Sequence, residues 1–395
     1  MTSTKELTAW LGRHREQMVA DLTEYVSQET PSDDKALLRA GLAWVEAWLG
    51  DRLGTPARRR FVDGAEHGDS VVLDYPAPAG GTGSWVTALC HYDTVWSAGT
   101  LAGWPASAEG DRFTGPGAFD MKAGLVQLVW ALRAGADLGL PRPNLRLVLN
   151  GDEETGSPGS RPVIEEEVVR GSTVLVFEAS ADGAVKTARK GVGIFRVDAL
   201  GEEVHAGLNP EAGASAIDEI SRVILQLHGA TDLERGTSLN VGVLRAGTRT
   251  NVKAGKATAD VDVRVTSSAE VERIDALFAG LRPYNARAEI SVSGGWNRPV
   301  MPRSSATAGL FSMASAVAGD LGFELRETSV GGASDGNFAA ALGLPVLDGL
   351  GAVGGGAHAR NEWISINGML ERSALVAGIL SRLAAADGSQ PGGGA

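Results

Sequence analysis

Apolar residues recur at helical spacing from the start of the chain, where Leu7, Trp10, Leu11, Met18, Leu22, Tyr25 and Val26 share one face behind Ser3 and Glu6 at capping-box spacing. This predicts an amphipathic opening helix ending near Glu29. Pro31 and Ser32 then read as a break and an N-cap, with Asp33 and Asp34 at the positive end of a second helix dipole. Leu37, Leu38, Val45, Trp48 and Leu49 carry that helix's apolar face to about Gly50. Trp10, Trp44 and Trp48 are expected in the core. Beyond Gly50, short apolar runs alternate with helical stretches: SVVLDY (70–75), WVTALC (85–90), a helix from about Asp120 to Leu138, LRLVLN (145–150), a helix from Pro162 to Val169, and TVLVFE (173–178). Strands alternating with helices predict an α/β domain, with a mixed, mostly parallel sheet and helices on both faces. The Pro/Gly segment 76–84 reads as a loop between strands and not as a phosphate cradle, because no helix follows it.

The rhythm changes between about Thr187 and Trp296. GIFRVDAL (193–200), AIDEISRVILQLHG (216–229), TSLNVGVL (237–244), KATADVDVRV (256–265), SAEVERIDALFAGL (268–281) and RAEISVS (287–293) spell β-α-β-β-α-β, the order of a ferredoxin-like module. The α/β rhythm then returns with a helix over 306–322, a strand over 324–330, a short helix from Ser334, the strand PVLDGL (345–350) and a closing helix over 369–386. The expected organisation is a first domain over 1–186 and 297–395, interrupted by an inserted second domain over 187–296, with residues 388–395 as a disordered tail.

Charge narrows the partners. Lys and Arg total 36 against 48 Asp and Glu, a net charge of −12, so the basic footprint of a nucleic-acid or anionic-membrane binder is missing. Small-molecule substrates are expected instead. The single cysteine, Cys90, cannot form an internal disulfide, and no run approaches the ~18 apolar residues of a membrane span. A cytoplasmic protein is the expectation.

The candidate chemistry follows from where polar residues fall on this map. His91 and Asp93 follow one predicted strand, Asp152, Glu153 and Glu154 follow another, Glu178 closes a third, and His358 lies in the loop after PVLDGL. In an open α/β sheet, ligands bind at the carboxyl ends of strands, so these groups should converge on one rim. Carboxylates crowded there, with Asp120, would repel unless a cation lay among them. Mixed imidazole and carboxylate ligands suit Zn²⁺, with Co²⁺ or Mn²⁺ as substitutes, and the number of acids suggests two ions per chain.

Two residues apart in an extended chain, His91 and Asp93 share a face, so Asp93 can accept the spare imidazole N–H. Glu153 and Glu154 are adjacent, so one can face a metal while the other, turned aside, serves as general base; spacing leaves open which is which. Asp120 is expected to open a helix after the turn GPGAF, where the dipole favours a carboxylate. Arg298 is expected to follow a Gly-Gly-Trp turn at the domain junction, suited either to bidentate capture of a carboxylate or to an interdomain salt bridge. The plain alternatives are a solvated loop pair for Glu153 and Glu154, an N-cap for Asp120 and ordinary histidines at 91 and 358. His14, His67 and His228 are assigned no function.

The segments H91-Y-D-T-V95, G115-P-G-A-F-D-M-K-A-G124, G151-D-E-E-T-G156, F177-E-A-S180 and G356-A-H-A-R360 resemble, in order and spacing, the metal-binding motifs of the M20 metallopeptidase family, most nearly its glutamate carboxypeptidase branch. The resemblance covers nearly the whole chain, and the inserted segment looks like that family's lid and dimerisation domain. It implies one metal held by His91, Asp120 and Glu178, and a second held by Glu154, His358 and the same Asp120. It makes Glu153 the general base and Asp93 the partner of His91. It also implies that His205 contacts substrate, usually across a dimer interface, and that Asn251 and Arg298 hold a substrate carboxylate.

The expected activity is hydrolysis of an amide bond next to a free carboxylate, releasing a C-terminal amino acid such as glutamate from peptidyl or N-acyl substrates. An N-acyl-amino-acid deacylase of acetylornithine or succinyl-diaminopimelate type is the alternative, with specificity expected in the lid and in the loop GGASDGN (331–337). A non-catalytic binding protein on the same fold is a further alternative. The edge of the lid sheet is left unaccounted for, as edges covered by association often are, and the resemblance implies a C₂ homodimer through the lid.

Overall fold

A computed structural model describes residues 4–78 and 83–387, so Ser3, the centre of the 76–84 loop and the tail 388–395 lie outside the described residues. The main elements in chain order are α1 (Thr4–Arg13), α2 (Arg15–Val26), α3 (Lys35–Leu53), β1 (Arg58–Val62), β2 (Ser70–Tyr75), β3 (Trp85–His91), α4 (Ala123–Asp137), β4 (Asn144–Asn150), α5 (Arg161–Val168) and β5 (Thr173–Val176). There follow β6 (Gly191–Leu200), α6 (Ala216–Gly229), β7 (Ser238–Ala246), β8 (Lys256–Val265), α7 (Ser268–Ala279), β9 (Glu289–Arg298), α8 (Ser305–Leu321), α9 (Gly336–Ala341), β10 (Val346–Leu347) and α10 (Ile366–Asp387). They form two compact units, one of Met1–Ala188, Arg303–Val330 and Ser334–Ala395, the other of Arg189–Pro302 with Gly331–Ala333.

The first unit is built on a six-stranded sheet in the order β1-β2-β4-β3-β5-β10. β3 pairs in parallel with β4 and β5, and β10 with β5, while β1 and β2 join antiparallel at the other edge. Because strand side chains alternate, the sheet buries two faces. Leu73, Val86, Ala88, Leu145, Leu147 and Leu149 join the core shared with α1 to α4, α8 and α10. Val72, Leu89 and Val148 point to the opposite face, which carries α5 and α9. Trp10 and Trp48 are buried as expected, and Trp44 stacks against both Tyr25 and Trp48, which also stack on each other.

Three local expectations for the first unit need correction. The opening helix is two helices broken at His14 (φ −102°, ψ 8°), and the second ends at Val26. The N-cap of α3 is Asp34, whose Oδ1 accepts from the Ala36 and Leu37 N–H groups at 3.0 Å each; Ser32 turns to Asp93 instead. Asp120 does not open α4. It sits in a tight turn over Ala118–Lys122 at φ −118°, ψ 97°, and regular helix begins at Ala123.

The second unit has the predicted ferredoxin-like order, with a fully antiparallel sheet β7-β8-β6-β9. Val197, Ala199, Val261 and Val263 pack beneath Ile220 and Val223 of α6 and Ile274 of α7, while Ile194, Arg196 and Leu200 stay exposed on the other face. Ser215 and Ser267 cap the two helices. The Gly-Gly-Trp turn expected before Arg298 is absent. Gly294, Gly295 and Trp296 continue β9 opposite Phe195, Ile194 and Gly193, and the register shifts only between Trp296 and Arg298. Glycine permits the positive φ of 91° and 158° there without ending the strand. Among the described residues no helix is long and apolar enough to cross a membrane.

One ion network on the α5 side of the first sheet generates a stability prediction. Glu167, fully buried, lies 2.9 Å from Arg58 Nη2, 2.7 Å from Arg60 Nη1 and 3.1 Å from Arg146 Nε, and Arg146 also grips Asp74 at 2.8 and 3.0 Å. Burial works against the Glu167 charge, but the arginines outweigh it and hold its pKa below the ordinary 4.5. Glu167→Ala strands the guanidiniums and is expected to cost about 3 kcal/mol, read as a lower denaturant midpoint. Since the folded pKa is depressed, the wild-type contribution is complete above about pH 4.5 and is lost as pH falls through the depressed value. The variant should therefore show the smaller acid-induced loss of stability.

Candidate metal centre

β3 delivers His91 and, one residue beyond it, Tyr92 anchors the exit by donating its hydroxyl to the Asp69 carbonyl at 2.8 Å. His91 Nδ1 lies 3.0 Å from the Asp93 carbonyl and 3.3 Å from its Oδ1. The buried Asp93 carboxylate then does a second job. Its Oδ1 accepts from Glu153 N–H and its Oδ2 from Glu154 N–H, each at 3.2 Å, while Ser32 Oγ donates to Oδ2 at 2.8 Å. One side chain thus orients the imidazole and pins the single 3₁₀ turn Glu153–Thr155 that follows β4.

The turn bearing Asp120 is held just as locally. Gly117 enters it at φ 73°, and a Cβ there would meet the Thr94 methyl at 2.5 Å, so both conformation and space demand glycine. Gly124, in the first turn of α4, passes so close to the Phe177 carbonyl that a Cβ would collide with it, which sets α4 against the end of β5 where Glu178 emerges. His358 stands at φ 59° in the loop after β10.

These segments bring two imidazoles against a shared carboxylate. His91 Nε2 lies 3.3 Å from Asp120 Oδ1 and 3.4 Å from Glu178 Oε1. His358 Nε2 lies 3.4 Å from Asp120 Oδ2 and 3.1 Å from Glu154 Oε2. The two Asp120 oxygens are therefore divided, one to each histidine. Ligand atoms bound at about 2.0–2.1 Å to one tetrahedral zinc stand roughly 3.3 Å apart, so these separations suit two ion sites sharing Asp120. His91, Glu153 and Glu178 offer ligand atoms all within 4.8 Å of one another, as do His91, Asp120 and Glu154. Glu154 Oε1 is buried and has no hydrogen-bond partner among the described residues, as expected of an oxygen aimed at an ion.

Protonation tells the same story. Burial opposes a charged His91, but hydrogen bonds to Asp120, Asp93 and Glu178 outweigh it and hold its pKa well above 6.5. Hydrogen bonds to Asp120 and Glu154 lift His358 to about 10. Burial pushes Glu154 up to about 7, whereas at Asp120 burial is outweighed by the two imidazoles and the carboxyl is held well below 3.8. Without metal, protons on the histidines supply the positive charge that the carboxylates require.

Sequence reasoning missed several supporting residues. Glu362, fully buried, accepts from the Gly117, Phe119 and Asp120 N–H groups and from Trp96 Nε1. Asp335 accepts from Ser157 Oγ at 2.5 Å and Asn150 Nδ2 at 2.8 Å, and Asp152 Oδ2 accepts from the Gly159 and Ser160 N–H groups, closing the other side of the 150–160 turn. Ser334 donates to Asp348 at 2.5 Å, so the Ser334–Asn337 part of the loop read for specificity is buried and tied inward. Their signal was present only as acids beside small residues, which is common. In the second unit, His205 and Asn251 are exposed on adjoining backbone, where Ala206 N–H donates to the Asn251 carbonyl at 2.9 Å, and Arg298 is buried at the end of β9.

The comparisons agree with the motifs. The profile of peptidase family M20/M25/M40 matches residues 89–382. The chain is 30% identical over 381 residues to carboxypeptidase G2 of Pseudomonas sp. (strain RS-16), spanning 93% of this chain and 89% of that protein. It is 30% identical over 292 residues to acetylornithine deacetylase of Myxococcus xanthus, spanning 68% and 72% of the two chains. In fold it matches aminopeptidase PepT from Bacillus cereus with a TM-score of 0.78 at 20% identity, over 94% of this chain and 99% of that one. With a profile covering most of its length and a full-length relative at this identity, the chain belongs to peptidase family M20/M25/M40, a family of metallopeptidases and amidohydrolases.

Proposed function

We propose that the protein is a di-metal hydrolase of an amide bond next to a free carboxylate, releasing a C-terminal amino acid such as glutamate. The observation that carries this reading is the division of the Asp120 oxygens between His91 and His358. His91, Asp120 and Glu178 would hold one ion and Glu154, His358 and Asp120 the other. Zn²⁺ fits this donor set, with Co²⁺ or Mn²⁺ able to replace it. Two such ions, when bound, would acidify water and polarise the scissile carbonyl.

The chain's own residues supply the remaining steps. Glu153 takes a proton from the attacking water and returns it to the leaving amine. Asp93 keeps His91 in the tautomer that presents Nε2. His205 and Asn251, neighbours in the second unit, would meet the substrate, His205 as a donor to the developing oxyanion, and Arg298 would pair with its carboxylate. β7 is an edge strand with Val243 and Leu244 exposed, which supports a homodimer through this unit. A cytoplasmic setting suits the single buried cysteine. Similarity to acetylornithine deacetylase supports a second reading, removal of an acyl group from an N-acyl amino acid by the same machinery.

Glu153→Ala is expected to lower turnover by about 10²–10⁴-fold with metal content unchanged; wild-type activity in that variant would sink the assignment. Counting metal in the purified protein should give two ions per chain, and reloading the stripped protein near pH 8 should release protons. The sign follows from the raised imidazole pKa values, because each histidine must lose its proton to bind metal, so affinity should climb with pH up to about 10. Calorimetry in buffers of different ionisation enthalpy reads this release, and a result independent of buffer would contradict it. Assay of glutamyl dipeptides against N-acyl-glutamate and N-acyl-ornithine separates the two substrate readings. Glutamate release from the peptides is the expected outcome.

A further inference from the structure

Glu362 lies outside the motifs that point to metal, four residues after His358. Its Oε1 accepts from Phe119 N–H at 2.7 Å and Asp120 N–H at 3.1 Å, and its Oε2 from Gly117 N–H at 3.1 Å and Trp96 Nε1 at 2.9 Å. Burying a carboxylate costs several kcal/mol unless its lone pairs are filled, and here all four acceptor positions are used. Three of the donors belong to one short turn, the turn that carries Asp120. Asp120 leaves the helical region at φ −118°, ψ 97°, and its N–H goes to Glu362, so α4 does not set its orientation. The loop that carries the His358 imidazole therefore also fixes the backbone of the carboxylate facing it, with Ala359 N–H bonded to Gly356 and Glu362 N–H to Ala359, each at 2.9 Å.

We propose that Glu362 is a positioning residue that locks the Gly117–Asp120 turn to the His358 loop, so that a single carboxylate can serve two metal ions. This rests on the metal-centre reading above. Asp120 can bridge only if both oxygens stay within ligand distance of both histidine-bearing segments at once, and a small rotation of the turn would favour one ion over the other. Glu362→Gln tests this with almost no change in volume. Whichever way the amide is turned, its NH₂ meets two N–H donors, and one pair of hydrogen bonds must open.

The experiment strips wild type, Glu362→Gln, Trp96→Phe and Glu167→Ala of metal and titrates each with zinc against a chromophoric chelator, following unfolding and kcat and KM in parallel. Glu362→Gln should bind zinc about 10–100-fold more weakly, the usual effect of removing a partner behind a ligand, with kcat falling more than KM changes. Trp96→Phe keeps a ring and removes one donor of the four, so a smaller loss of affinity is expected, and it carries the test if Glu362→Gln does not fold. Glu167→Ala, buried in a different ion cluster, should unfold earlier yet bind zinc as the wild type does. Wild-type affinity in Glu362→Gln, or in Trp96→Phe if the first variant is lost, overturns the proposal. So does an equal loss in Glu167→Ala, which would mark a general effect of stability. Failure of the wild type to bind zinc overturns the metal centre itself, a result distinguishable from these.

Discussion

Mutual repulsion among carboxylates is the constraint around which the first unit is arranged. Asp93, Asp120, Glu154 and Glu178 stand at one rim with two imidazoles among them, and a charged acid removed from water is stable only when its lone pairs meet donors or a cation. The chain answers mostly with backbone. Asp93 takes two N–H groups from the Glu153–Thr155 turn, and Glu362 takes three from the Gly117–Asp120 turn. Each supporting acid satisfies itself by fixing a loop, and each loop so fixed carries a residue that faces the centre.

The two buried charge clusters of this unit differ in a way that bears on their roles. Around Glu167 and Asp74 the cations are guanidiniums, charged at any ordinary pH and placed for multiple hydrogen bonds, so the cluster is complete within the chain. At the rim the only positive groups among the described residues paired with Asp120 and Glu154 are histidines, which hold their protons because the acids force them to. A cluster balanced by exchangeable protons can be balanced instead by metal ions. Permanent arginine charges offer no such exchange, and that difference separates the Glu167 cluster from the candidate metal centre.

Family membership narrows the chemistry further than the substrate. The groups proposed to open an amide lie in the first unit, while those proposed to recognise its two sides belong largely to the second. Relatives of similar identity are named for peptide and for N-acyl substrates, as expected when one hydrolytic centre is combined with different recognition surfaces.

Much of this was legible along the chain. Alternation of apolar runs marked the strands of both units, the β-α-β-β-α-β order marked the second unit before any contact was known, and the placing of acids and histidines after strands marked the rim. Period and position carry that information, because a buried face must repeat with the geometry of its element and a site at strand ends must follow strands in sequence. Misread features were those in which a local signal met a tertiary competitor. Ser32 and Asp34 are both good caps, and only the demand of Asp93 for a hydroxyl donor left the helix to Asp34. Asp120 looked like a helix-opening acid, yet Glu362, more than two hundred residues away, takes its N–H. Gly294 and Gly295 looked like a turn and instead continue an edge strand. Sequence by itself determined which residues could be ligands, since that depends on residue type and on the element that precedes them. Only the tertiary structure decided how they are held, because a buried carboxylate goes to whatever unpaired N–H groups the fold brings within 3 Å, and no spacing in the chain records that distance.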